Sequence, residues 1–301
     1  MSRTLHSLLM RTAQRRLIRL LVPLAFTCAV VTVAAQTPSR GFFWKVERAG
    51  RVGWLVGSLH MLTQGNETLP ASMTAAFDAS NALVEEADPD ELASPAFAAT
   101  VLRRAIYTDG RTLEDQLSPA VYKRLIDRAS DAGLPTEMVR RMKPWMAVTT
   151  LQALALTRAG FNPALGVDVQ FHARATSRGT RFIALETGEQ QLDFLESVGQ
   201  DMLVGQNLDE ANTEVTEARR IADAWQTGDA AAIERLVLGT LQSSPTVYDA
   251  LIARRNRNWL PAIRSCLDTA RCFVVVGAAH LVGPAGLLRE LAAVGYTVTQ
   301  Q

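Results

Sequence analysis

The stretch "CFVVVGAAHLVG", residues 272–283, decides the fold class because an apolar run leads into a Gly-x-x-His motif. Its short run rich in β-branched residues predicts a buried strand. The following "PAGLLRELAAVG" predicts a helix that ends at Gly295, and "YTVTQ" predicts a last strand. A strand, a helix and a second strand in succession indicate layers of helices on a sheet.

A second apolar run, "WLVGSLH" at residues 54–60, ends in the same motif. The sequence contains four histidines, and the two Gly-x-x-His motifs hold two of them. Before this run, "GFFWKVERAG" and "RVGWLVG" flank Ala49-Gly50 and predict a β-hairpin. We expect each motif glycine to let the chain leave its strand in a conformation closed to other residues, and to let backbone approach a ligand.

Two more short strands are predicted, in "NALVEEAD" and in "TRFIALE", and the segments between all these strands have helical patterns. The pattern predicts an α/β (α+β) fold with a central sheet and flanking helices. A largely helical middle, inserted at about residues 89–165 and 199–260, is expected to cover the edge at which the strands' carboxyl ends lie.

Residues 1–35 are interpreted as a secretory signal peptide, because an arginine-rich start precedes the apolar core "LLVPLAFTCAVVTVA". The alternative is an uncleaved N-terminal anchor. The remaining domain, residues 36–301, is then periplasmic or secreted, and no later stretch is apolar enough for a membrane span. It carries 26 basic and 30 acidic residues without a basic cluster, which argues against nucleic acid as a partner.

Two cysteines, Cys266 and Cys272, lie close together just before the predicted strand "FVVVG". In an exported protein such a pair is expected to form a disulfide that closes a short loop. The alternative is two buried thiols that pack as small apolar groups.

Histidines and glutamates follow four of the predicted strands: His60, Glu85-Glu86, Glu186 and His280. The carboxyl ends of strands in open α/β sheets are where ligands bind. Imidazole and carboxylate are ligands of Zn²⁺, Mn²⁺ or Fe²⁺, which lower the pKa of a bound water. A glutamate beside such an ion would serve as general base or acid. The alternative is that the two histidines are structural.

Six motifs occur in order along the chain: "GSLH", "LVEEAD", "GVDVQFHARA", "ALETGEQQL", "RRNRNW" and "VVVGAAHLVGPAGLLRELAAVGYTV". Together they resemble the TraB/GumN family, which is related to the Tiki proteins, from about residue 41 to 298. The resemblance implies a metalloprotease-like fold with two Gly-x-x-His motifs. From the Tiki proteins it implies a peptidase activity that depends on Mn²⁺ or Co²⁺.

The positions that match the family's motifs are His60, Glu86, Asp168, Glu186, Gln191, Arg255, Asn256 and His280. The chain departs from the family at Glu85, where an apolar residue is usual. Neighbouring residues of a strand point to opposite faces, so only one of Glu85 and Glu86 is expected to reach the site.

Several of these residues have alternative interpretations. Arg255 and Asn256 lie in a charge-rich helix, so they are either catalytic, with Arg255 binding a substrate carboxylate or oxyanion, or part of a solvated face. Asp168 is expected to cap or salt-bridge its own helix. His172 is expected at the surface or behind the ligands rather than as a ligand.

The sequence therefore predicts an exported metal-dependent hydrolase acting on peptide or protein substrates, although an ester or glycan would fit the same residues. The predicted metal ligands are His60, His280, Glu86 and Glu186, and the ion is Mn²⁺, Co²⁺ or Zn²⁺. The predicted catalytic residues are Glu86, Glu186, Arg255 and Asn256. The alternative from another class is a non-catalytic binding or accessory protein of the cell envelope that keeps the same fold.

Overall fold

In the computed structural model of the chain, which describes residues 41–205, 213–242 and 244–301, the strands form two sheets. The predicted signal peptide, residues 1–35, lies outside the described residues. Across the described ranges, no helix combines the length and the apolar character that crossing a membrane requires.

The strands are β1 (Phe43–Arg48), β2 (Arg51–Ser58), β3 (Leu62–Thr63), β4 (Ala82–Glu85), β5 (Phe161–Asn162), β6 (Arg181–Ala184), β7 (Cys272–Gly277) and β8 (Thr297–Gln300). The α-helices are α1 (Ala71–Asp78), α2 (Pro89–Leu92), α3 (Pro95–Ala105), α4 (Pro119–Asp131), α5 (Thr136–Arg140), α6 (Pro144–Arg158), α7 (Val167–Arg178), α8 (Gly188–Gly205), α9 (Thr213–Thr227), α10 (Ala230–Ile233), α11 (Gly239–Gln242), α12 (Pro245–Tyr248), α13 (Arg254–Thr269), α14 (Ala278–Leu281) and α15 (Leu287–Ala293). Shorter turns are the 3-10 turns Glu114–Gln116 and Pro163–Leu165 and the π-helical turns Glu234–Leu238 and Asp249–Ala253.

The predicted hairpin is confirmed. Strands β1 and β2 pair antiparallel, and Arg48 lies opposite Arg51 across a two-residue turn. Ala49 and Gly50 have φ angles of 49° and 76°. Positive φ at both central residues is typical of the tight turns that match the twist of a hairpin.

The predicted fold class is also confirmed, since the main sheet has the strand order β6-β4-β7-β2-β1-β8 with helices around it. Strands β6, β4, β7 and β2 run parallel, while β1 runs antiparallel to both of its neighbours. All six residues of β7 are buried. This is why its sequence is continuously apolar rather than alternating, as expected for a parallel strand covered on both faces.

The register aligns the carboxyl ends of the four parallel strands at one edge of the sheet. Ser58 at the end of β2 lies opposite Gly277 at the end of β7. Glu85 at the end of β4 lies opposite Val275 of β7 and Ala184 of β6. Residues that follow these four strands are therefore delivered to the same side of the molecule.

The two segments predicted as a helical insertion are largely helical in the described residues. The first contains its own apolar cluster, made by Leu113, Leu125, Ala129, Val139, Met142, Ala147, Val148 and Leu151. The second, two-stranded sheet was not predicted. It is formed by β3 and β5, and Leu62 pairs in it with Asn162. Strands of two residues carry too little pattern to be recognised in a sequence.

A disulfide joins Cys266 of α13 to Cys272, the first residue of β7, with the Cα atoms 6.0 Å apart. The structure therefore contains the predicted bridge rather than two thiols. The bond connects the helix that carries Arg255 and Asn256 to the strand that leads to His280.

Candidate active site

The two Gly-x-x-His motifs lie side by side because β2 and β7 are neighbours in the sheet. His60 follows the end of β2 by two residues, and its side chain is 61% exposed. His280 lies in α14 directly after β7, and its side chain is 5% exposed. One histidine is thus open to solvent and the other is enclosed.

His60 is oriented by an aspartate from another element. Its Nδ1 lies 2.8 Å from Oδ2 of Asp168 on α7, and Ser58 Oγ donates to Oδ1 of the same carboxylate at 3.0 Å. The Asp168 charge raises the pKa of His60 to about 9. Because the ring is exposed, solvent screens part of this attraction. The expectation that Asp168 serves its own helix is wrong, because its carboxylate binds His60 and Ser58 instead.

His280 is oriented by Asn256 of α13. The Asn256 side-chain N–H groups donate to the backbone oxygens of His280 and Ala285 at 2.9 and 2.7 Å, which fixes Oδ1 toward His280 Nδ1 at 2.7 Å. Nδ1 therefore carries the proton and Nε2 presents a lone pair. Burial lowers the pKa of His280 to about 3, so the ring is neutral at physiological pH.

Of the two neighbouring acids at the end of β4, Glu86 is the one that reaches the motif histidines. Its Oε1 accepts from the backbone N–H of Gly277 at 2.6 Å and lies 3.9 Å from His280 Nε2. Burial alone would raise its pKa, but the electrostatic interaction with the His280 ring, the positive charges of Arg255 and His60 and the hydrogen bond from Gly277 outweigh burial and lower it to about 2. Glu86 is therefore ionised in the folded protein at neutral pH.

Arg255 contacts Glu86, Glu186 and His280 in the buried part of the site. Its Nη2 donates to Glu86 Oε2 and to Glu186 Oε1, both at 2.6 Å. Its Nε donates to both Glu186 oxygens, while Nη1 donates to His280 Nε2 at 3.1 Å and to the backbone oxygen of Leu251 at 3.3 Å. All five N–H groups of the guanidinium are thus used inside the protein.

The interpretation of Arg255 and Asn256 as solvated residues is wrong, since the Arg255 side chain is 12% exposed and Asn256 is 1% exposed. The structure also leaves Arg255 no free donor for a substrate carboxylate or oxyanion. Both residues hold other site groups in place. Trp259, one turn after Arg255 on α13, also helps to hold Arg255 in place, since the guanidinium lies 4.6 Å from the centre of its ring.

Glu186 faces Arg255 and Trp259 rather than the motif histidines. Trp259 Nε1 donates to its Oε2 at 2.9 Å, in addition to the Arg255 contacts. Burial raises the pKa of Glu186, while hydrogen bonds from Arg255 and Gln191 act in the opposite direction. The sequence signal for Trp259 was its four-residue spacing from Arg255, which places both on one face of a helix.

His60, Glu86 and His280 surround one small space next to Gly277. A methyl group on Gly277 would lie 3.2 Å from Glu86 Oε1, 3.5 Å from His280 Cδ2 and 3.7 Å from His60 Nε2. The space exists because this residue has no side chain.

The predicted reason for the motif glycines is therefore half wrong. Neither Gly57 nor Gly277 has a positive φ angle, so neither provides a left-handed exit from its strand. Gly57 is instead required by packing, since a methyl group there would lie 2.3 Å from the Phe42 ring. Both glycines allow close approach, by Phe42 in one case and by the site groups in the other.

Glu85 points away from Glu86 and contacts His172 of α7, with Oε2 3.1 Å from Nδ1. Burial raises the pKa of Glu85 to about 9. His172 Nε2 lies 3.4 Å from Asp90 and 4.0 Å from Asp88. As expected, His172 lies outside the group formed by His60 and His280.

The described residues contain one group of three or more acidic, histidine or cysteine side chains whose ligand atoms lie within 4.8 Å of one another: Asp88, Asp90 and His172. The predicted ligands are arranged differently, because Arg255 separates Glu186 from the space beside Gly277 and donates to His280 Nε2. The other donors fit a divalent ion chemically. Both histidines have Nδ1 held by a side-chain oxygen, as metal-ligating histidines usually do.

Comparison with known proteins gives a family but no function. The family model described as "TraB/PrgY/gumN family" matches residues 42–300. The chain is 25% identical over 239 residues to the "Uncharacterized protein YbaP" of Escherichia coli (strain K12), covering 79% of this chain and 86% of that protein. The YbaP of Shigella flexneri matches to the same extent. No solved structure matches. The chain therefore belongs to the TraB/PrgY/gumN family.

Proposed function

We propose that this chain is an exported hydrolase of peptide bonds that works with a divalent metal ion. One observation carries the proposal: the two motif histidines each have Nδ1 held by a side-chain oxygen, while Nε2 is directed to the side where Glu86 lies. Such pairing fixes the tautomer and the orientation of a ligating imidazole. A structural histidine does not require a second copy arranged in the same way around one space.

In this proposal His60, His280 and Glu86 hold the ion, which is Mn²⁺, Co²⁺ or Zn²⁺. Such an ion supplies Lewis acidity, which activates water for attack on a carbonyl carbon at neutral pH. The exposed side chain of His60 gives a substrate access from solvent. Binding the ion would replace the hydrogen bond from Arg255 to His280 Nε2.

The remaining residues act by positioning. Asp168 orients His60, and Asn256 orients His280. Glu186 acts through Arg255, which it holds against Glu86. This changes the roles of Arg255, Asn256 and Glu186 from the catalytic ones predicted from the sequence to supporting ones.

The metal content of purified protein tests the proposal. Protein prepared without a histidine tag should contain about one divalent ion per chain, and His60→Ala or His280→Ala should remove most of it. His172→Ala is the matched control, because it removes a histidine from the separate group with Asp88 and Asp90. If His172→Ala lost the ion while both motif variants kept it, the proposed site would be wrong.

The Glu86→Gln variant separates two roles of that carboxylate. Loss of the ion in this variant would make Glu86 a ligand. Retention of the ion with loss of peptide cleavage would make it the group that takes a proton from water. Unchanged ion content and unchanged cleavage would contradict both roles.

Export is part of the proposal and rests on residues 1–35. We expect the mature chain to begin near Gln36 and to be recovered from the periplasm or medium. N-terminal sequencing checks this, and Met1 retained on protein in the membrane fraction would contradict it.

A second candidate function is a non-catalytic binding or accessory role in the cell envelope. The observation that favours it is the completeness of the Arg255 contacts, which satisfy Glu86, Glu186 and His280 without an ion. Cleavage of a peptide library, with and without a chelator, separates the two candidates. Cleavage that the chelator abolishes supports the hydrolase, and metal-loaded protein that cleaves no peptide supports the accessory role.

A further inference from the structure

A cavity of about 390 Å³ opens beside the two motif histidines, and its walls differ in chemistry. One wall carries the polar groups of the site, among them His60, Glu86 and His280. Another part of the lining, called the apolar wall below, consists of apolar residues from the helical middle of the chain. This asymmetry sets a direction for anything that binds there.

The apolar wall is built from separate elements that converge on the cavity. Leu156 belongs to α6, Ile221 to α9 and Val237 to the π-helical turn Glu234–Leu238. Phe161 of β5 adds its ring. Leu156, Ile221 and Val237 are only half-buried, so apolar surface remains uncovered in a concave place. Concave apolar surface of this kind marks ligand sites more often than surface that is flat.

The apolar part of the lining, with Leu156, Phe161, Ile221 and Val237, carries no charge. The charged lining residues, His60, Glu86 and Arg255, belong to the polar part. A charged side chain placed against the apolar wall would lose its hydration without gaining a partner, which is costly. An apolar side chain would gain by leaving water.

We propose that this cavity binds an apolar side chain of the peptide substrate, on the residue next to the scissile bond. A carbonyl carbon placed beside His60 and Glu86 brings the adjoining side chain within reach of the apolar wall. The substrates are then peptides with a residue such as leucine, methionine or phenylalanine at that position. This inference rests on the proposed hydrolase function and gives it a specificity.

Cleavage of a synthetic peptide library by the metal-loaded protein tests the inference. Mass spectrometry of the products reads the residues on both sides of every cut. We expect apolar residues to exceed aspartate and lysine by about tenfold or more at one of the two positions, since apolar pockets discriminate to this degree. Cuts without any such preference would overturn the inference and leave the hydrolase function standing.

Variants of Ile221 locate the preference in this cavity. Ile221→Asp should remove the preference for apolar residues, and Ile221→Ala, which enlarges the cavity, should shift it toward larger side chains. Leu102→Asp is the control, because this substitution adds the same charge at a residue of α3 that is 63% exposed. An unchanged cut pattern in folded Ile221→Ala would count against this cavity.

A binding measurement keeps the inference testable if no peptide is cleaved. Fluorescein-labelled hexapeptides that differ only by leucine or aspartate at one position are titrated with the full chain, and anisotropy gives the Kd. Tighter binding of the leucine peptide, weakened by Ile221→Asp, would support the apolar pocket although the hydrolase proposal had failed. Equal Kd values for both peptides would overturn the pocket as well.

Discussion

Arg255 and Glu186 form a buried pair in which Nη2 lies 2.6 Å from Oε1 and Nε lies 3.1 and 3.2 Å from the two carboxylate oxygens. The two side chains are 12% and 4% exposed. The pair fastens α13 to the residues that follow β6. It therefore joins the helix that carries Asn256 to the sheet edge where the candidate site lies.

Replacing Arg255 with alanine should lower the free energy of unfolding by about 3–5 kcal/mol, because Glu86 and Glu186 would be left buried without their shared partner. Arg254→Ala is the matched control on the same helix. Arg254 is 49% exposed and pairs with Asp249, so its loss should change stability by less than about 1 kcal/mol. Urea denaturation measures the free energy of unfolding of both variants. An equal loss of stability in the two would mean that the buried contacts of Arg255 add little to the stability of the fold.

Replacing Gly277 with alanine should fill the space between His60, Glu86 and His280 with a methyl group. We expect a loss of bound metal and a fall in activity of about tenfold or more, because groups around a reacting centre tolerate little displacement. Stability should change little, since the backbone at Gly277 has an ordinary φ of −51°. Metal analysis, peptide cleavage and thermal unfolding are the measurements.

Gly239→Ala is the control for that variant. Gly239 has a φ of −55° and no heavy atom within 4 Å of an added methyl group. In a helix this change is expected to raise stability slightly, by up to about 1 kcal/mol. If both variants kept full activity, the space beside Gly277 would not be part of the site.

Replacing Asp168 with asparagine should return the pKa of His60 toward its usual 6.5, because the Asp168 charge is the main cause of its rise. A metal ion must displace the proton from His60, so wild-type affinity should rise by about tenfold per pH unit from neutral pH up to the His60 pKa. In the Asp168→Asn variant the increase of metal affinity with pH should end at a lower pH, because the pKa of His60 is lower. NMR titration of the ring and Mn²⁺ binding from pH 6 to 9 measure the two effects.

Ser58→Ala is the control for this pH effect, since it removes the Ser58 contact and keeps the Asp168 carboxylate. Its His60 pKa should stay well above 6.5. A pKa that falls equally in both variants would point to a general disturbance of the site rather than to the loss of the aspartate charge.

Glu85 should make the protein less stable as the pH rises. The pKa of the Glu85 carboxyl is about 9 in the folded chain, against the usual 4.5 that it has in the unfolded chain. Between these two pH values the folded chain holds a proton that the unfolded chain has lost. The folded state binds more protons in this window, and stability falls with increasing pH. Glu85→Gln cannot ionise and should become progressively more stable than the wild type between pH 5 and 9.

Urea denaturation at pH 5, 7 and 9 measures this difference. Glu47→Gln serves as the control, because the Glu47 side chain on β1 is 39% exposed and its loss should leave the pH dependence parallel to that of the wild type. Parallel curves for Glu85→Gln as well would show that Glu85 does not keep its proton in the folded state.

The sequence was sufficient for features that depend on local pattern. The buried run of β7, the hairpin at Ala49-Gly50 and the strand ends before His60 and Glu86 follow from residues next to one another in the chain. Because parallel strands align their carboxyl ends, strand ends alone were enough to bring these side chains to one edge.

Contacts between distant segments could not be predicted in this way. Asp168 is 108 residues from His60, and Arg255 is 169 residues from Glu86, so no spacing rule connects them. Whether Arg255 faces solvent or the sheet depends on which side of α13 packs inward. That choice was ambiguous because three more polar or charged residues, Arg254, Asn256 and Arg257, adjoin it in the sequence.

The central position of β7 has a consequence for how the chain is made. Strands β4 and β6 lie on one side of β7, and β2 and β1 lie on the other, so the two halves of the sheet meet only through residues 272–277. In the chain β7 comes after β1, β2, β4 and β6, so a ribosome makes it after them. We therefore expect a chain that ends at residue 271 to be digested rapidly in limited proteolysis, while the full chain resists. For the exported protein proposed above, such an incomplete polypeptide would still be threadable, which is the form that passage through a narrow secretion channel requires.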